Sequence, residues 1–291
     1  MKAIVKDLNL QINSFTLVVP DGASTLFLRI PPYGAMNYWR MREYDDEGFS
    51  ESSVHLHSPR SRWKKKGYLL KDYVGHFLDV LNKNALDSMS FLQEENQFDF
   101  DVLQNGIPNA TGIMIGRSFS VESLYRIVSS FLCARKLLYS GTKPLNKKLP
   151  KVFIQNFDIL SSGLGINTWH LSFDELLEMN SAQIEIHLTS ICAKMLNRLL
   201  KMWVKGGSPR LKFLEFLFSR GPSQETILKG IKHRVVEQER QFEVFHEDRE
   251  TVRRITVTGG VDVRRTNGTV GTIVFEDRGN GSVAMRLFVW H

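Results

Sequence analysis

The segment 196–216, LNRLLKMWVKGGSPRLKFLEF, constrains the fold more than any other part of this 291-residue chain. Its apolar residues recur with helical spacing as far as Trp203, and an alternating apolar pattern follows the break. Gly206 and Gly207 suit the left-handed conformation that ends a helix, and Pro209 prevents the helix from continuing. The sequence therefore predicts a helix that ends abruptly and leads directly into a strand.

Strand and helix patterns alternate along much of the chain. Six strand patterns, starting at residues 86, 110, 134, 149, 181 and 211, share the spacing apolar-x-x-apolar-x-apolar if alanine and serine are counted as small core residues. A short helix pattern covers 172–179, and two longer ones have apolar faces formed by Leu70, Tyr73, Val74, Phe77, Leu78 and Leu81, and by Val121, Leu124, Tyr125, Val128 and Leu132. This alternation predicts parallel strands with helices packed on them.

The spacing of the strands favours an irregular repeat. Leucine-rich repeats have strands of this texture at periods of about 20–29 residues. No glycine-rich phosphate loop indicates a doubly wound sheet. We therefore predict an α/β fold, an irregular leucine-rich-repeat-like strand-helix solenoid. Its largely parallel sheet is expected to contain the segments near 88–92, 113–116, 152–156, 183–188 and 212–217.

Both ends of the chain have β patterns. Alternation on either side of residues 20–22, Pro-Asp-Gly, predicts a hairpin, and the mixed polar stretch 31–66 predicts a long surface loop. Residues 225–245 read as a helix leading into a strand, and the rest of the chain reads as strand throughout. Asn267-Gly268 is a favoured pair for a tight turn. We expect a C-terminal antiparallel β meander that covers the last strand of the solenoid.

The sequence contains no motif of a known catalytic or cofactor site: GxxxxGK[ST], GxGxxG after a strand, GxSxG and HExxH are all missing. His55 and His57 lack a third ligand at a usual spacing, so ordinary polar surface is favoured over a metal site. The acid-base groups of 246–250, HEDRE, lie in a charged stretch that is typical of a solvated face. We expect no catalytic, cofactor-binding or metal-binding residue.

The two cysteines point to a reducing compartment. Cys133 and Cys192 both fall in helix patterns, and two cysteines in a chain this long do not make a disulfide framework. We therefore expect a cytoplasmic or nuclear protein. Cys192 and Trp203 share one apolar stripe of the helix before the glycine break, so both side chains are expected to be buried in the core.

The net charge of +7 is modest for 291 residues and does not favour nucleic acid as a partner. Residues 60–66 contain five basic side chains around Trp63. They form either a nuclear-import or nucleic-acid patch or a solvated loop that balances the preceding acidic run, and we favour the loop. No apolar run approaches the roughly 20 residues that a membrane helix needs, so no membrane partner is expected.

The segment 196–211 resembles the core signature of the nematode F-box-associated type 2 domain. Its Leu-Asn pair, Trp-Val pair, Gly and Pro-Arg-Leu are Leu196-Asn197, Trp203-Val204, Gly206 and Pro209-Arg210-Leu211. The stretches 225–231, ETILKGI, and 261–275, VDVRRTNGTVGTIVF, fit later elements of that family. The resemblance divides the chain into 1–165, a β hairpin with irregular α/β repeats, and 166–291, the F-box-associated domain with its β cap.

The resemblance implies a protein-protein interaction domain that recruits substrates to an SCF-type cullin-RING ubiquitin ligase, with an unknown target and binding face. No F-box is recognisable, and residues 1–15 resemble the piece that follows one. We therefore expect residues 1–291 to bind a Skp1-like adaptor only if an F-box is present upstream. Two alternatives remain open: a decayed or truncated family member with no ligase role, and an enzyme or nucleic-acid binder with no recognisable motif.

Overall fold

The computed structural model of the chain describes residues 14–19, 24–29, 36–45, 50–56, 62–64, 70–92, 109–116, 119–140, 155–162, 172–188, 191–218, 221–246, 251–279 and 281–290. Contacts divide the chain into two compact units, Met1–Leu137 and Leu138–His291. The boundary expected at 165/166 concerns the extent of the family domain and stays a prediction.

The first unit is a mixed sheet with two described helices. The sheet order is β7-β6-β1-β2-β3-β4-β5. Strands β1 to β5 pair in succession antiparallel, whereas β1 pairs parallel with β6 and β6 pairs parallel with β7. The elements are β1 (Ser14–Val19), β2 (Ser24–Arg29), β3 (Met36–Asp45), β4 (Ser50–Leu56), β5 (Arg62–Lys64), α1 (Leu70–Val80), β6 (Leu86–Phe91), β7 (Ala110–Ile115) and α2 (Val121–Ser130).

The first unit confirms one N-terminal prediction and corrects another. The hairpin predicted around residues 20–22 is the antiparallel pair β1–β2. The long surface loop predicted over 31–66 is wrong, because β3, β4 and β5 lie within it and pair antiparallel. These segments are rich in polar residues and lack a clear alternation of apolar and polar residues. Such alternation is the signal by which a half-buried strand is recognised in a sequence.

The helices of this unit bury stripes close to those predicted. In α1, Tyr73, Val74 and Leu78 are buried as expected. In α2, the predicted face is partly wrong, because Tyr125 is half-exposed and Leu132 is exposed. Helix α2 ends at Ser130, so Leu132 lies beyond its last turn. The stripe that the helix buries is Leu124, Ile127, Val128 and Phe131.

Strand β8 (Lys136–Tyr139) spans the division between the units. The second unit then combines parallel and antiparallel strands. Strands β9, β10 and β11 pair parallel, and β15, β14, β13 and β12 continue the sheet antiparallel from β11. The elements are β9 (Ile159–Ser162), α3 (Phe173–Glu178), β10 (Gln183–Leu188), α4 (Ala193–Val204), β11 (Phe213–Phe218), α5 (Gln224–Leu228), β12 (His233–His246), β13 (Thr251–Arg264), β14 (Val270–Gly279) and β15 (Ser282–Trp290).

The predicted leucine-rich-repeat-like solenoid is wrong. A solenoid adds one parallel strand with each strand-helix unit, but in both units the sheet is mixed and most of its pairings are antiparallel. The apolar spacing misled because it describes any half-buried strand and carries no information on direction. Among the described strands, parallel pairing is seen for β1–β6–β7 and for β9–β10–β11. Most of the strand predicted near 152–156 lies outside the described residues.

The C-terminal antiparallel meander is confirmed, and β15 covers the edge of β11 as expected. Gly268 has a φ of +93° in the turn between β13 and β14, which is the conformation for which Asn-Gly is favoured. The meander therefore continues the parallel strands as one sheet rather than closing a repeat array.

Helix α4 packs on one face of the second unit's sheet, here called the helix face. Trp203 is buried as predicted, together with Leu196, Leu199 and Leu200. A Cβ atom added to Gly271 would lie 2.8 Å from Cη2 of Trp203, so the indole ring lies directly against β14. The strand residues on this face are also buried: Val261, Val263, Ile273, Leu287 and Val289.

The predicted burial of Cys192 is wrong. Cys192 and Cys133 are both free and exposed. Helix α4 begins at Ala193, so Cys192 is its N-cap residue and lies before the apolar stripe begins. Cys133 lies in the turn that follows α2. In the sequence, the helical spacing of apolar residues continues beyond the actual helix ends, and both cysteines lie in these continuations.

The end of α4 has the predicted geometry. Gly206 has a φ of +106°. Its N–H donates to the carbonyl oxygen of Trp203, and the N–H of Gly207 donates to that of Met202, both at 2.9 Å. This pair of hydrogen bonds is the Schellman motif, which satisfies carbonyl groups that the helix itself leaves unpaired. The glycine break thus turns the chain toward β11 while its N–H groups bind two carbonyl oxygens at the end of the helix.

We predict that Trp203→Ala lowers the free energy of unfolding by about 3–5 kcal/mol, because the truncation leaves a cavity between α4 and β14. The matched control is Met202→Ala on the same helix, where the side chain is 40% exposed and the loss is expected to be below about 1 kcal/mol. Urea denaturation of the full chain measures both. Equal losses for the two variants would contradict the packing described.

Candidate functional site

The polar residues of the signature 196–211 hold structural elements together. Nδ2 of Asn197 donates to the carbonyl oxygens of Ile227 at 2.7 Å and Lys229 at 2.8 Å, which ties α4 to the end of α5. Nη2 of Arg210 donates to Oδ1 of Asp158 at 3.1 Å and links the start of β11 to the residue before β9. These side chains therefore join neighbouring elements of the second unit.

Arg265, in the motif 261–275, closes the end of α4. Its side chain is only 6% exposed. Nε donates to the carbonyl oxygen of Trp203 at 3.0 Å, Nη2 donates to that of Gly207, and Cζ lies 5.1 Å from the centre of the Trp203 ring. Burial lowers the pKa of Arg265, but a guanidinium stays protonated at physiological pH. A cation at the C-terminal end of a helix also interacts favourably with the helix dipole.

We predict that Arg265→Lys lowers the free energy of unfolding by about 2–3 kcal/mol, because an ammonium group cannot span both carbonyl oxygens or stack on the indole. The matched control is Arg264→Lys. Arg264 is exposed and donates to the carbonyl oxygen of Gly268 at 3.0 Å, so its loss is expected to be below about 0.5 kcal/mol. Chemical denaturation decides, and similar losses at the two positions would contradict the role of Arg265.

The opposite face of the second unit's sheet is partly covered by the long β12–β13 hairpin. The ring of Phe242 lies 5.1 Å from that of Phe288 and 5.4 Å from that of Trp290, measured between ring centres. Gln183 on β10 donates through Nε2 to the carbonyl oxygen of Phe245 at 2.8 Å, and its Oε1 accepts from the N–H of Phe245 at 3.1 Å. The hairpin is therefore fixed to this face by aromatic packing and by a two-point amide contact.

Further along the same face lies a group of charged side chains, here called the polar strip. Register places Glu185, Glu215 and Arg286 side by side on β10, β11 and β15. The strip consists of Glu185, His187, Glu215, Glu276, Arg278 and Arg286. Because paired residues of neighbouring strands point to the same side of a sheet, these side chains form one continuous surface.

The strip is held by an ion-pair network. Nη1 of Arg286 donates to Glu276 at 2.7 Å, and its Nε donates to Glu215. Arg278 lies 3.7 Å from Glu215 and 3.6 Å from Glu276. Glu215 and Arg286 are mostly buried, whereas Glu276 and Arg278 are about 40% exposed. The inner pair fixes the geometry, and the outer pair presents charges of both signs to solvent.

His187 lies near the end of β10 and is partly buried. Burial lowers its pKa, and the nearby carboxylate of Glu215 raises it by a smaller amount. The folded pKa therefore lies below the unfolded value of about 6.5. Below pH 6.5 the unfolded chain gains a proton that the folded chain lacks. The stability contributed by neutral His187 is thus present above about pH 6.5 and is lost as the pH falls toward the folded pKa.

We predict that His187→Gln reduces the pH dependence of stability, because glutamine does not titrate. The decrease in the free energy of unfolding between about pH 7.5 and about pH 5.5 is expected to be smaller in the variant than in the natural chain. Denaturation curves at the two pH values measure this difference. An unchanged decrease in the variant would contradict the burial of a neutral imidazole at this position.

The other sequence candidates do not belong to the strip. His55 lies in β4 and 62–64 form β5, both in the first unit, whereas His57, 60–61, 65–66 and 247–250 lie outside the described residues. Among the residues that are described, no cluster of three or more histidine, cysteine or acidic side chains could hold a metal ion. Sequence reasoning missed the strip, although the alternating polar residues of QIEIHL and the single charged residues within the apolar runs FLEFLF and AMRLF signal a polar sheet face.

Residues 148–216 match the model of a protein family described as F-box associated. This confirms the family that the signature predicted, and the match spans the region from β9 to β11. No curated protein and no solved structure matches the chain. Within the described part of the chain, no helix is both long enough and apolar enough to cross a membrane.

Proposed function

We propose that this chain, in which residues 148–216 are an F-box associated region, is a non-catalytic module that recruits a target protein to an SCF-type cullin-RING ubiquitin ligase. The family match is the observation that carries this proposal. Recruitment works by proximity, since it raises the effective concentration of a target lysine near the ubiquitin-loaded enzyme. Such a role needs a binding surface and no catalytic residue.

The polar strip is the surface that we assign to target binding. Its inner ion pair, Glu215 with Arg286, lies on regular strands and fixes the outer side chains, Glu276 and Arg278. Fixed charges of both signs favour a partner with complementary charges and reject others, which gives specificity. A Skp1-like adaptor would be bound through an F-box rather than through this sheet. The free cysteines Cys133 and Cys192 suit a reducing compartment, the cytoplasm or nucleus.

The test compares two charge reversals in the full chain. Arg278→Glu is expected to lower capture of the target at least about tenfold, which corresponds to about 1.4 kcal/mol. The matched control is Arg254→Glu on the hairpin, where the arginine is 77% exposed and pairs with Glu243 at 2.9 Å. Partners are identified by quantitative affinity purification, and binding is then measured with the purified target. Equal capture by both variants would contradict the assignment.

A second arm of the same experiment tests the ligase role. The chain 1–291 is compared with the same chain carrying an F-box fused ahead of Met1. The fusion is expected to bind a Skp1-like adaptor at micromolar affinity or better, about −8 kcal/mol, and to lower the cellular level of the target. The chain alone is expected to capture the target and not the adaptor. Adaptor binding by residues 1–291 alone would show that the adaptor site lies within them.

A further inference from the structure

The first half of β12 is an open strand edge. Of the strands that the structure describes, only β13 pairs with β12. At the far end of β12 the side chain of Gln183 binds the N–H and carbonyl groups of Phe245, so these groups point away from β13. Residues 232–235 are exposed, and Val235, at 71%, is the most exposed of the large hydrophobic residues described. An edge of this kind is a template for pairing with another strand.

The alternation of the backbone identifies the free groups of this edge. In an antiparallel pair, the N–H and carbonyl groups of successive residues point in turn toward the partner strand and away from it. Counting back from Phe245, the outward positions are odd-numbered as far as Glu239. A β-bulge between Val236 and Glu239 adds one residue and shifts this alternation. The N–H and carbonyl groups of Arg234 and Val236 therefore point outward, and no described residue binds them.

The side chains of this edge differ between the two faces of the sheet. Val235 pairs with the buried Val261 and so lies on the helix face. Arg234 pairs with Asp262 on the opposite face, and Lys232, two residues earlier, continues that face. Paired residues of neighbouring strands project to the same side of a sheet. A strand added here would therefore match the edge if it carried acidic residues opposite Lys232 and Arg234 and an apolar residue opposite Val235.

The cations that this match needs are available. Arg234 is 80% exposed and lies 3.8 Å from Asp262. Asp262 is already bound by Arg240 at 2.7 Å, so turning Arg234 toward a partner costs the fold little. Lys229 and Lys232 are exposed and form no ion pair with any residue that the structure describes. Uncompensated positive charge of this kind attracts an acidic segment.

The bulge limits the length and register of the match. Beyond Val236 the edge becomes acidic, with Glu237 and Glu239 both exposed. Acidic residues of an added strand would be repelled there, since like charges opposite each other are destabilising. The bulge also twists the edge and interrupts regular pairing. The matching stretch is therefore confined to residues 232–236.

We propose that residues 232–236 bind an extended segment of another protein that adds to β12 as an antiparallel strand and alternates acidic with apolar residues. This inference does not depend on the ligase proposal. In such strand addition, main-chain hydrogen bonds give affinity and alternate side chains give specificity. Antiparallel pairing is slightly more stable per residue than parallel pairing. The contact is small beside the roughly 1,200–2,000 Å² of a stable interface, so binding is weak and sensitive to salt.

Fluorescence anisotropy of the full chain with a labelled, blocked peptide, Ser-Thr-Val-Glu-Val-Glu-Ser, tests the proposal at low salt. A scrambled peptide with adjacent glutamates, Ser-Val-Val-Thr-Glu-Glu-Ser, is expected to bind at least about tenfold more weakly, because its charges no longer share one face. The double variant Lys232→Glu with Arg234→Glu is expected to lose binding by a similar factor. It is expected to bind instead the peptide that has lysine in place of glutamate, which shows that it is folded. Arg254→Glu, an exposed control, is expected to leave binding unchanged.

Methylated peptides test the main-chain pairing itself. In the antiparallel arrangement the glutamate N–H groups face Arg234 and its neighbours, whereas the valine N–H groups face solvent. Methylation of the glutamate nitrogens is expected to abolish binding, and methylation of the valine nitrogens to leave it within about threefold. Three results would overturn the proposal. They are equal binding of the scrambled peptide, equal binding of the two methylated peptides, and a double variant that still prefers the glutamate peptide.

Discussion

The second unit depends on the contact between Trp203 and Arg265. The indole fills the space between α4 and β14, and the guanidinium lies on the ring while its N–H groups bind the last carbonyl oxygens of the helix. One contact thus joins the helix end, the glycine break and the turn after β13. Because these parts are more than 50 residues apart in sequence, the contact fixes the meander relative to the parallel strands.

The two faces of the second unit's sheet are covered differently. On the helix face, α4 buries Leu196, Leu199, Leu200 and Trp203. On the opposite face, the β12–β13 hairpin covers the aromatic residues and leaves the polar strip at its side. A surface of fixed, paired charges suits recognition of another protein, which is why the proposal places target binding there.

Sequence reasoning succeeded where the deciding interactions are local. The stop of α4 follows from Gly206 and Pro209, and the turn at Asn267-Gly268 follows from the positive φ of Gly268. It failed where they are long-range: β1 lies parallel to β6 through contacts such as Thr16 with Ser88, 72 residues apart. The polar strip is likewise formed only when register aligns β10, β11 and β15. Strand direction and register are decided by tertiary packing, which a local apolar pattern does not encode.

The central claim, that the polar strip contacts the recruited target, is tested most directly by carboxyl footprinting of the full chain with and without that target. Glu276, at the exposed side of the strip, is compared with Glu225, an exposed residue in the first turn of α5. The account predicts that labelling of Glu276 falls several-fold on binding, because a contact excludes the reagent, while labelling of Glu225 stays unchanged. Unchanged labelling of Glu276 in the saturated complex would contradict it.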